Sequence, residues 1–87
     1  MVMHIEYGKA DSWRWNLDRQ AIELEAIAGE EIFAVFVSRE FIEGRWGEQS
    51  SPSALLDTAK AHFDEIIQEA GELISMGAAQ DGEIQIN

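Results

Sequence analysis

Residues 21–37 read AIELEAIAGEEIFAVFV. The first half alternates: Ile22, Leu24 and Ala26 fall on one side, and Glu23, Glu25 and Ile27 on the other. That is the period of a strand with one buried face. After Gly29, the segment Ile32 to Val37 is an unbroken apolar run rich in β-formers. Two such runs around a glycine predict a β-hairpin, with Ala28-Gly29 or Gly29-Glu30 as its loop. Either loop gives the same facing. Phe33, Val35 and Val37 join Ile22, Leu24 and Ala26, while Ile32, Ala34 and Phe36 land beside Glu23, Glu25 and Ile27. The second face is therefore half apolar, and Ile27, Ile32 and Phe36 need cover. The candidates are Trp13 and Trp15 from the preceding segment, or a second subunit. Exposed apolar patches of that kind mark interaction sites.

C-terminal to the hairpin, Ser38 is placed to cap a short helix, Arg39 to Trp46, by accepting a free backbone N–H. Gly47 closes that helix, and Phe41, Ile42 and Trp46 are its apolar anchors. Serine followed by Pro52 at the first helical position starts a second helix, expected to run from Pro52 to Met76. Its apolar stripe is Leu56, Ala59, Phe63, Ile66, Ile67, Ala70, Leu73 and Ile74, at spacings of three and four. Such a helix is about 37 Å long at ~1.5 Å per residue, against about 23 Å for a seven-residue strand. It must overhang the sheet or break near Gly71. An overhanging stripe is a second hint of a dimer. Asp81-Gly82 makes a turn, and Glu83 to Asn87 alternates with Ile84 and Ile86 inward.

N-terminal to the hairpin, Val2 to Tyr7 alternates as a strand, with Met3, Ile5 and Tyr7 on one face. Gly8 to Ser12 is a polar turn, and Trp13-Arg14-Trp15-Asn16 leads through a polar link to Gln20. The expected fold is α+β, a single domain over residues 1–87. A small, largely antiparallel sheet of three to four strands, in the order β-β-β-α-α-β, carries a short and a long helix on one face.

The chain has 87 residues, 17 acidic against 6 Lys plus Arg, a net charge of -11, and no cysteine. That composition excludes a disulfide scaffold and a thiolate zinc site. The charge opposes nucleic-acid binding, which needs a basic face. At 46% hydrophobic the chain has enough apolar content to fold. Residues 48–87 hold 8 acids with Lys60 as their only base. This is a solvated acidic face or a docking surface for a basic partner. No targeting segment is visible at the N-terminus, and no apolar run approaches membrane-spanning length. The expected setting is cytoplasmic, with no membrane partner.

Signals for chemistry are sparse. His62, Glu65 and Glu69 share one side of the predicted helix at ligand spacing, but one helix supplies too few donors, and no metal or other cofactor is expected. The serines fall at caps, turns and helix positions. There is no nucleophile elbow, phosphate loop or dinucleotide fingerprint. Trp13-Arg14-Trp15 is the most unusual local feature. It reads either as a small satellite core or as a stacking platform for a ligand. No catalytic residue is assigned.

Several of these pieces together resemble one family. They are a tryptophan, then Arg19-Gln20-Ala21-Ile22 entering a strand, the glycine hairpin at Gly29, VSREFIEGRWG at 37–47, the long helix, and DGEIQI at 81–86. This pattern is similar to the bacterial domain-of-unknown-function family DUF1488. Its most specific part is Val37-Ser38-x-Glu40 followed by Gly47 after an aromatic. The chain departs from the pattern at Trp46, at Glu43-Gly44 and at Ala61-His62. The resemblance implies a small, soluble bacterial protein with an α+β fold and no established activity, and it carries over no site residue.

The functional expectation is a non-enzymatic interaction module acting as a homodimer, with an unidentified protein partner as a further possibility. Its candidate surface comprises Trp13, Trp15, Arg19, Ile27, Ile32 and Phe36. One alternative is a small-ligand-binding protein or enzyme with a pocket at Trp13, Trp15 and Arg19. Another is an acidic antagonist of a basic protein surface.

Overall fold

The structure, a computed structural model, describes residues 4–87; Val2 and Met3 of the expected first strand lie outside the described residues. The hairpin forms as read. Strand β3 (Ala21–Ala28) pairs antiparallel with β4 (Glu31–Ser38). Ala28 faces Glu31, so the loop is Gly29-Glu30. Gly29 has φ 65°, the positive angle that the first position of a two-residue type II′ turn requires and that glycine adopts without steric cost.

Two short strands share the outer edge of β3. Strand β1 (Ile5–Tyr7) pairs with its C-terminal end, and β2 (Arg14–Asn16) with its N-terminal end. The second is a strand where the sequence suggested an irregular link. Between them the chain bulges out through a 3-10 turn, Ala10–Ser12. Strand β5 (Glu83–Ile86) closes the other side in parallel with β4. The sheet order is β1-β3-β4-β5, with β2 beside β3, so five strands form a mixed and mostly antiparallel sheet.

Helix α1 (Arg39–Trp46) starts on Ser38, whose Oγ accepts from the Phe41 N–H at 3.0 Å, and ends at Gly47. Ser51 caps α2 (Pro52–Ala61) in the same way, accepting from the Ala54 N–H at 3.1 Å, with Pro52 in the first turn. The expected single long helix is in fact two. The break is at His62 (φ -113°, ψ 33°), after which α3 runs from Phe63 to Ser75. The His62 imidazole stacks on Trp46 with ring centroids 4.1 Å apart and planes 8° apart. The break lets α2 pack against α1 and β2 while α3 follows β5.

Gly71, the expected break point, lies inside α3. A Cβ there would come within 3.3 Å of the Tyr7 hydroxyl and 3.8 Å of Ile5 Cδ1. The glycine is thus a point of close approach: the Tyr7 O–H donates to the Ile67 carbonyl at 3.1 Å and ties β1 to α3. Burial holds the Tyr7 phenol above its ordinary value of 10.0.

All three helices lie on one face of the sheet. Under them Ile22, Leu24, Val35, Val37, Ile84 and Ile86 are buried against Ile42, Leu55, Ala59, Ile66, Ala70 and Ile74. The helical stripe runs through Leu55, which is fully buried, while Leu56, Phe63, Ile67 and Leu73 flank it half-buried. Among the described residues, no helix is long and apolar enough to cross a membrane.

Candidate functional site

Register assigns each expected site residue to a face, because residues directly opposite across a ladder share one side. Trp15 is opposite Ile22, on the helix side. Trp13 is 3% exposed and stacks on Phe63 of α3 at 5.2 Å. Both tryptophans therefore belong to the core under the helices and cover nothing on the other face. Their indole N–H groups are buried without a hydrogen-bond partner among the described residues. Arg19 lies on the opposite side, over the Phe36 ring at 4.1 Å. The structure therefore does not bring Trp13, Trp15 and Arg19 together into one pocket.

The helix-free face carries Glu6, Ile27 and Ile32 in one row, Glu25, Ala34 and Glu83 in the next, and Arg14, Glu23, Phe36 and Gln85 in the third. Its apolar residues have different fates. Phe36 is only 5% exposed. It is covered by Arg19, whose guanidinium also bonds Glu83 Oε1 at 2.6 Å. For Phe36, the cover sought from the tryptophans or a second subunit comes from the loop before β3. Ile27 is half-buried, whereas Ile32 is 62% exposed.

Between these rows lies a shallow trough of about 940 Å³. Ala34 and Glu25 lie at its floor. The 3-10 turn forms one wall and Asp81 to Glu83 the other, with Ile32 at one end. Asp81 (φ 54°) and Gly82 (φ 77°) make a tight turn that holds the second wall, bridged by hydrogen bonds between Gln80 and Glu83.

The trough is acidic, and its charges are unevenly matched. Glu23 accepts from Asn16 Nδ2 at 3.1 Å and pairs with Arg14 at 3.2 Å. The Asn16 hydrogen bond, then Arg14, hold its carboxyl below the usual range against the opposing effect of burial. Among the described residues, Asp11, Glu25 and Asp81 have no ion-pair or side-chain hydrogen-bond partner, although all three line the trough.

Three serine hydroxyls are engaged in local hydrogen bonds. Ser12 Oγ donates to the Lys9 carbonyl, and Ser38 and Ser51 cap helices. His4 lies 3.7 Å from Glu6, and His62 Nδ1 lies 3.4 Å from Glu65. Among the described residues, no three His, Asp or Glu side chains gather at metal-binding distance. Outside the trough, Glu43 accepts from the Gln49 N–H and pairs with Arg39; these contacts hold its carboxyl below the usual range.

The candidate residues the sequence reading passed over are Glu25, Ala34, Asp81 and Glu83. Their signal was parity. Glu25 and Ala34 alternate with buried neighbours, and Glu83 alternates with Ile84. Arg14 was read with Trp13 and Trp15, but its place opposite Glu23 was hidden because β2 was not recognised as a strand.

No family model matches the chain, and no curated protein matches it. Among solved structures, the chain superposes on a protein of unknown function from the DUF1488 family of Shewanella loihica PV-4. The TM-score is 0.87 at 20% sequence identity, covering 99% of this chain and 94% of the other. The chain shares the fold of that DUF1488 protein, the family whose pattern its residues resemble.

Proposed function

We propose that this protein is a non-enzymatic protein-interaction module whose working surface is the helix-free face of the sheet, and that its partner there is basic. One observation carries the reading: an exposed Ile32 adjoins a trough whose lining includes three carboxylates, Asp11, Glu25 and Asp81, that lack partners among the described residues. An apolar anchor ringed by charge is how binding surfaces on small proteins are built. The hydroxyls of Ser12, Ser38 and Ser51 are engaged in a turn and two caps, which favours a binding role over a catalytic one for these three.

The test is capture from a lysate of the host with wild type and Ile32→Glu as bait. The reading expects a basic protein retained by wild type, lost from the variant, and released as salt rises from about 0.05 to 0.5 M, because screening shortens the reach of charge to a few ångströms. Equal retention by both baits, at either salt concentration, would contradict it.

A second copy of the chain is the other reading, supported by the apolar pair Ile27 and Ile32. Like charge opposes it, since each copy carries a net -11. A homodimer on this face would therefore tighten with salt, the opposite of a basic partner. Sedimentation velocity at tens of micromolar separates the two: dimer at high salt supports self-association, and monomer throughout rules it out.

A further inference from the structure

Resting on that reading, we infer that the trough over Ala34 binds a lysine or arginine side chain from an extended segment of the partner, with an apolar residue two positions away seated on Ile32. Ala34 is opposite Glu25 on β3 and opposite Glu83 on β5. Adjacent strands lie about 4.8 Å apart, so the two carboxylates flank Ala34 across roughly 10 Å. A small side chain between two acids leaves room for a cation beside Glu25, unpaired among the described residues, with Glu83, which already bonds Arg19, on the other side.

The next row shows how this face holds such a cation. Arg19 of the chain itself lies on Phe36 and bonds Glu83. Phe36 is two residues from Ala34 along β4, about 7 Å away. The internal arginine thus fills the position over Phe36, while the neighbouring position along β4, over Ala34, is open. Asp11 and Asp81 add negative charge on the two walls, against the positive charge of Lys9 beside the 3-10 turn.

The shape of the occupant follows from spacing. Ile32 and Ala34 are also two residues apart on one strand, about 7 Å. That is the distance between side chains on one face of an extended peptide. A free metal ion or a lone amine would use the carboxylates and leave Ile32 bare. An extended segment reading basic-x-apolar uses both.

The probe is the capped peptide Gly-Lys-Thr-Val-Thr-Lys-Gly, titrated into the ¹⁵N-labelled protein at low salt. Its controls carry Glu for Lys, or Ser for Val. The inference expects amides of Gly8, Ser12, Ala34 and Gly82 to shift while those of α2 and α3 stay still. It expects affinity to fall at least roughly threefold with Glu25→Gln, with Ala34→Leu and with the Ser-for-Val peptide. Glu72→Gln, which removes the same charge from the outer face of α3, should change affinity by less than about 1.5-fold. Glu25 is exposed, so Glu25→Gln tests the site even if Ala34→Leu perturbs folding. If the shifts stay on the helix-free face but Glu25→Gln and Glu72→Gln weaken binding equally, the trough is overturned and the face survives. If the shifts map to α2 and α3, or no binding is seen, the inference is overturned; the capture by wild-type and Ile32→Glu baits then decides the face separately.

Discussion

Replacing Arg19 by alanine should destabilise the protein by about 2 kcal/mol. The side chain does two things: it covers Phe36, which is 5% exposed, and it bonds Glu83 at 2.6 Å. The ion pair joins two partly exposed groups (39% and 36%) and contributes about 0–1 kcal/mol. The cation–π contact at 4.1 Å adds about 0.5–1 kcal/mol. Uncovering roughly 40 Å² of the ring costs about 1 kcal/mol at ~25 cal/mol/Å². These contributions overlap, so the total is nearer 2 than 3 kcal/mol. In a domain of this size, 1 kcal/mol shifts Tm by about 4–8 °C. Urea unfolding of wild type, Arg19→Ala and Arg19→Met measures it. Methionine keeps the cover and loses the charge, so it should recover about half the deficit. A neutral Arg19→Ala, or a Met variant no better than Ala, would refute the claim that this loop shields the sheet.

Other predictions follow from the contacts that join the elements. Tyr7 is the chain's single tyrosine, so absorbance near 295 nm should titrate with a midpoint above 10.0 in the native protein. Because the folded value is raised, the stability linked to the neutral phenol is intact below the unfolded value and lost as pH climbs through the folded one. A midpoint at or below the free-phenol value would contradict burial against α3. Ser38→Ala should cost about 1 kcal/mol in urea unfolding through loss of the α1 cap, and Ser38→Asp should largely restore it. Gly71→Ala should stabilise by about 1 kcal/mol when Tyr7 is phenylalanine, and by clearly less when the hydroxyl is present. Equal effects in the two backgrounds would mean that Tyr7 and Gly71 do not touch.

How much of this was legible in the sequence depended on the range of the interactions. The hairpin, both serine caps, Pro52 and the inward Ile84 and Ile86 are set by neighbours within a few residues, and they form as read. Strand β2 was not legible because three residues give too short a pattern. Arg14–Asn16 becomes a strand where β3 offers an unpaired edge beside it. The helix break was misplaced for a similar reason. Gly71 is the residue whose propensity predicts a break, yet its missing side chain accommodates Tyr7. His62 instead stacks on Trp46, a contact between separate helices.

At the candidate site, the facing of Glu23, Glu25, Ile27, Ile32, Ala34 and Phe36 was readable from period two alone. What covered Phe36 was not, because it depends on how the loop turns at Gln20, which has φ 49°, and returns Arg19 over the sheet. The side taken by the tryptophans was left open, between a satellite core and cover for the second face, because a side chain's face follows from register, and no register exists for a segment read as a loop.

Carboxyl footprinting of the protein with and without the basic-x-apolar peptide locates the bound segment on the surface. Carbodiimide coupling followed by mass spectrometry reports each acid separately. The account predicts that Glu25 and Asp81 lose at least half their reactivity at saturating peptide while exposed Asp64 and Glu72 on α3 keep theirs. Equal protection of all four, or protection confined to α3, would contradict it.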